Sequence, residues 1–72
     1  MGMITEEEHS GVVKTFDHFK GFGFITRKKG KDVFFFYEDI AESSLLFPGT
    51  LVTFIIKKGA KGPRAYNIKK IK

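Results

Sequence analysis

The stretch "KGFGFI", Lys20–Ile25, and the run "DVFFFY", Asp32–Tyr37, decide how this chain is read. Five of its nine phenylalanines fall in these two runs, next to glycine and close to lysine. Side chains on a strand point alternately to its two faces. Phe22 and Phe24 therefore share one face of the first run, with Gly23 and Ile25 on the other. In the second run Phe34 and Phe36 lie together, opposite Val33, Phe35 and Tyr37.

Working outward, the surrounding text is also short β-rich segments separated by turn residues. "GVVKTFD" (11–17), "GFGFITR" (21–27), "DVFFFY" (32–37), "TLVTFIIK" (50–57) and "RAYNIKKI" (64–71) read as five strands. "KKGK" and "KGAKGP" read as basic, glycine-containing turns, and "EDIAESSLLFPG" (38–49) as a longer connection with room for one helical turn. Five short strands with brief connections predict an all-β fold, a small antiparallel barrel. Residues 1–10 read as a flexible acidic tail ahead of a single domain over 11–72.

A barrel has one interior. Ile25, Val33, Phe35, Val52, Phe54, Ile56 and Ile68 are expected to fill it, and Val13 to look inward. Phe22, Phe24, Phe34 and Phe36 are then left facing out. Gly23 agrees with that choice, because a glycine adds little to a core wall and permits close approach of another backbone.

Charge gives the exposed rings a context. The chain holds thirteen Lys and Arg against eight Asp and Glu, a formal +5. Three of the acidic residues are Glu6–Glu8, so residues 11–72 set all thirteen basic side chains against five acidic ones. A small body so biased attracts polyanions. Apolar patches usually mark interaction surfaces, and rings set among Lys14, Lys20, Lys31 and Arg64 suit single-stranded nucleic acid. Each base stacks on a ring for about 1–3 kcal/mol while the cations neutralise phosphates. A protein partner or a second copy of the chain, docked on the same rings, is the competing reading.

Other classes find little support. His9 and His18 have no evident partner, and the neighbouring carboxylates Glu38 and Asp39 would diverge on an extended chain, unsuited to paired acid–base work. The "GFG" element lacks the further residues of a phosphate-cradling loop. Cysteine is absent, so no thiolate metal site or disulfide is available. No enzymatic activity, cofactor or metal is expected. No apolar run approaches the roughly 20 residues that span a bilayer. "MGMITEEEHS" does not resemble a signal peptide, so a cytoplasmic location is the expectation.

These same residues resemble the cold-shock domain family, whose fold is a five-stranded oligonucleotide/oligosaccharide-binding barrel. "KGFGFI" is identical to the family's first ribonucleoprotein motif. "DVFFFY" resembles its second, D-V-F-V-H-F, "GVVKTF" its opening G-x-V-K-W-F, and "GAKGPRAYNI" its closing strand. The resemblance runs from Gly11 to Ile68. It implies binding of single-stranded RNA or DNA, often pyrimidine-rich, by a protein acting as an RNA chaperone or in transcription regulation. It places Lys14, Phe16, Lys20, Phe22, Phe24, Phe34, Phe36 and Tyr37 on the binding face, with Arg64 at its rim. Three departures stand out: Thr15 replaces the family's tryptophan, Phe36 replaces its histidine, and the connection after the third strand is shorter. Phe47 is a candidate to substitute for the aromatic that the family often has in that connection, and Phe19 to add a ring near the missing tryptophan.

Overall fold

The computed structural model describes residues 7–41, 45–59 and 62–71. Five strands, β1 (Glu8–Asp17), β2 (Phe22–Arg27), β3 (Val33–Phe36), β4 (Leu51–Gly59) and β5 (Gly62–Lys70), close into a barrel in the order β1-β2-β3-β5-β4. One 3-10 turn, Tyr37–Asp39, follows β3. The expected all-β barrel is what forms, antiparallel apart from the closing contact, where Phe34 of β3 pairs in parallel with Arg64 of β5. β1 starts ahead of the expected boundary at Gly11, because Glu8, His9 and Ser10 pair with Ile55, Phe54 and Thr53 of β4. Of the rest of the expected tail, Glu7 is exposed and residues 1–6 lie outside the described residues.

Val13, Ile25, Val33, Phe35, Leu46, Val52, Phe54, Ala65 and Ile68 form the buried core, and Ile56 and Phe16 pack against its edge. The inward set read from alternation is therefore inside, with Ile56 half-buried. Leu46 and Ala65 were not anticipated. Leu46 sits in the connection before β4, where no periodicity marks which side chain turns in. Gly23 is buried opposite Phe16 and Phe35. A methyl group there would collide with the Thr15 carbonyl and come within 2.9 Å of the Phe35 ring. The glycine thus lets β1 and β2 close tightly on the inner wall of the barrel.

Two irregularities set which side chains face out. β1 and β2 pair Val13 with Ile25 but Thr15 with Phe24, so Lys14 is an extra residue. β4 and β5 pair Thr53 with Lys69 and Ile55 with Tyr66, leaving Asn67 and Ile68 opposite Phe54 alone. Asn67 takes a left-handed backbone, φ 52°, which asparagine tolerates better than most residues. Each extra residue shifts the side-chain alternation by one. Past Lys14, Thr15 therefore turns out and Phe16 turns in. On β5 the bulge lets both Ala65 and Ile68 reach the core, while Arg64 and Tyr66 face outward.

Candidate nucleic-acid interface

The outer face of β2 and β3 carries the four rings. The strands pair Phe22 with Phe36 and Phe24 with Phe34 without irregularity, so the rings form a two-by-two array. Phe34 is its hub, with ring centroids 5.7 Å from Phe22, 5.6 Å from Phe24 and 4.7 Å from Phe36. These spacings are those of favourable aromatic pairs. The rings shelter one another: Phe22, Phe34 and Phe36 are half-buried and Phe24 is 37% exposed. Three of them, Phe24, Phe34 and Phe36, line a groove of about 640 Å³ that runs on to Gly59, Gly62, Pro63, Arg64 and Tyr66.

Arg64 has a more structural role than the rim contact expected for it. Its Nε and Nη2 donate to the two carboxylate oxygens of Asp39, each at 3.0 Å. Asp39 is buried and also accepts the Phe36 backbone N–H at 2.9 Å. This fork joins the end of β3 to β5 where the barrel closes. The Asp39 hydrogen bond holds the guanidinium pKa above its ordinary value, against the opposing effect of desolvation, so Arg64 stays charged. It also lies over the Phe36 ring at 4.4 Å and the Tyr66 ring at 4.8 Å, within the range of cation–π attraction. Nothing local in the sequence marks Asp39 for this role, because its partner is 25 residues away.

The other expected residues divide. Lys14 is exposed, its Nζ 3.0 Å from an Asp32 carboxylate oxygen. Since β2 lies between β1 and β3, and Asp32 immediately precedes β3, this ion pair spans β2. Lys20 and Lys31 are exposed in the turns at opposite ends of β2. Tyr37 is 62% exposed and is tied to the β1–β2 turn by its backbone N–H, which donates to the Gly21 carbonyl at 2.7 Å. That turn is shaped by Asp17, whose carboxylate accepts the Phe19 and Lys20 N–H groups, each at 3.0 Å.

Phe16, Phe19 and Phe47 do not join the array. The β1 bulge turns Phe16 inward, 5.3 Å from the buried Phe35 ring. From Phe16 a second aromatic chain leads through His18 at 4.4 Å to Phe47 a further 5.7 Å on. Phe47 itself is 53% exposed. Phe19 projects fully into solvent from the β1–β2 turn. Tyr66, by contrast, lines the groove but was not singled out from sequence, because strict alternation from Ile68 places it inside. The asparagine ahead of Ile68 was the available signal for a bulge.

The 'Cold-shock' DNA-binding domain profile matches residues 9–71. The chain belongs to the cold-shock domain family. Cold-shock domains are a nucleic-acid-binding family without enzymatic activity. The match reaches back to His9, in keeping with the early start of β1. Among curated relatives, "Cold shock-like protein CspB" of Escherichia coli is 48% identical over 62 residues, covering 82% of this chain and 87% of the relative. "Retron Se72 cold shock-like protein" of Salmonella heidelberg is 42% identical over 65 residues, covering 86% and 97% respectively. A Drosophila structure, "Unr CSD456", superimposes with a TM-score of 0.80 at 20% identity, over 93% of this chain and 28% of its own. At that identity the likeness concerns the fold.

Proposed function

We propose that this cold-shock domain binds unpaired RNA or DNA by laying successive bases on Phe22, Phe24, Phe34 and Phe36. The observation that carries this reading is the array itself, four rings on the outer face of one hairpin beside a groove lined by Arg64, with exposed lysines in the turns at both ends of β2. Stacking accepts every base, so the site favours affinity for single strands over strict sequence choice. Lys20 and Lys31 are placed to meet phosphates, Lys14 by exchanging its exposed Asp32 partner, and Tyr37 flanks the array. Arg64 acts chiefly through Asp39, fixing the floor next to Phe36. Holding bases apart from their complements gives the domain the action of an RNA chaperone, with pyrimidine-rich stretches as the favoured targets and the cytoplasm as its place of work.

Fluorescence anisotropy with labelled oligo-pyrimidine DNA and RNA tests the proposal. Binding should weaken with log[salt] at a slope near −0.7 for each phosphate neutralised. Phe22→Ala and Phe34→Ala should each weaken it by roughly 5- to 150-fold, the worth of one stacked base. Salt-insensitive binding, or full affinity in both folded variants, would refute it. The rings would then be better read as a protein-docking or dimerisation face.

A further inference from the structure

We propose that the stacking surface continues past the phenylalanine array onto β5, where Tyr66 forms a further subsite for an unpaired nucleobase. This rests on the single-strand reading above and extends it to a residue outside the four-ring array. The bulge at Asn67 turns Tyr66 outward on the same side of the barrel as Arg64. Both line the groove that begins at Phe24 and Phe34. Arg64 fills the space between the Phe36 and Tyr66 rings, 4.4 Å from one and 4.8 Å from the other. It cannot swing away without breaking both hydrogen bonds to Asp39. Ring, guanidinium and ring therefore form one held tier that leads from β3 to β5.

The far end of the groove suits a nucleobase in shape. Gly59, Gly62 and Pro63 form its wall, so the space beside Tyr66 is bounded mostly by backbone and can admit a planar base. Lys57 places its Nζ 5.3 Å from the Tyr66 ring centroid. Thr15, where the resemblance expects a tryptophan, turns out on β1, on the opposite flank of the array. A bound strand is thus shifted away from β1 and runs from β2 across β3 to β5.

The test uses the full chain and a labelled oligothymidine of about eight nucleotides, long enough to cover one barrel of this kind. Tyr66→Ala should lower its affinity roughly 5- to 150-fold, while Tyr66→Phe, which keeps the ring, stays within about twofold of the parent. The chain contains no tryptophan, so Tyr66→Trp introduces a single indole whose emission should be quenched when a base stacks on it. If the parent binds but Tyr66→Ala binds equally well, the subsite does not exist. If Tyr66→Ala weakens binding but the indole at 66 is not quenched, the ring only supports Arg64 and the stacking claim fails. A parent chain that does not bind at all overturns the single-strand reading, and the subsite with it.

Discussion

β2 and β3 pair residue for residue, whereas β1 and β5 each carry an extra residue that reverses which side chains face the core. The regular hairpin presents an outer array of four rings packed largely edge to face. The bulged strands bend around it and close the barrel. In the hairpin the face of every side chain follows from counting by two. In the bulged strands the count fails at one position, and every later residue changes sides. The difference teaches that the same pattern rule is secure on one pair of strands and misleading on its neighbours.

Neighbouring phenylalanines of β3 give the sharpest way to break this comparison. Phe35→Ala empties a fully buried position and should remove about 3–5 kcal/mol of stability. Phe34→Ala, one residue away on the outer face, should lose less, about 2 kcal/mol from its three ring contacts, while weakening oligonucleotide binding. Urea titrations beside anisotropy would show it, and equal stability losses would mean that the hairpin does not separate its faces. Gly23→Ala comes next. Its methyl group meets β1 backbone rather than a movable side chain, so a loss of about 3 kcal/mol is expected in the same titrations.

Phe16→Ala tests the β1 bulge directly. Because the ring packs on Phe35, stability should fall by about 2 kcal/mol, with affinity for oligo-pyrimidine little changed once the folded fraction is accounted for. An affinity loss as large as that of Phe22→Ala would put Phe16 back among the stacking rings. At the barrel closure, Asp39→Asn should lower Tm by more than Asp32→Asn, since it strips the two-bond Arg64 fork rather than one exposed lysine contact. Differential scanning calorimetry of the two variants decides between them.

The smallest effect concerns the β1–β2 turn. The Lys20 N–H, and after it the Phe19 N–H and the charges of Lys20 and His18, hold the Asp17 carboxyl below its ordinary value. Its folded pKa thus lies under its unfolded one, so the turn's contribution is fully present above the ordinary carboxylate range. It is lost as pH falls through the folded value. Thermal melts of the parent and Asp17→Asn should differ at neutral pH and converge in acid; a gap that persists in acid would contradict the assignment.

How much was legible follows from these particulars. Phe22, Phe24, Phe34 and Phe36 were placed outward from sequence because Ile25, Val33 and Phe35 compete for the same interior, and the regular pairing leaves only one solution. Phe16, Tyr66 and the role of Arg64 were not legible. Two of them depend on bulges, and the third depends on a carboxylate brought from a distant turn. Leu46 entered the core from a connection with no repeating pattern to reveal it.

By itself, the sequence determined the strand-rich class, the apolar set that must be buried, the basic balance and the ringed hairpin, because period-two alternation and charge are local properties. Only the tertiary structure decided where β1 and β5 slip by one residue, that Asp39 captures Arg64, and that Tyr66 comes to line the same groove as the phenylalanines. Those depend on how a twisted sheet closes on itself, which is fixed by contacts between residues far apart in the chain.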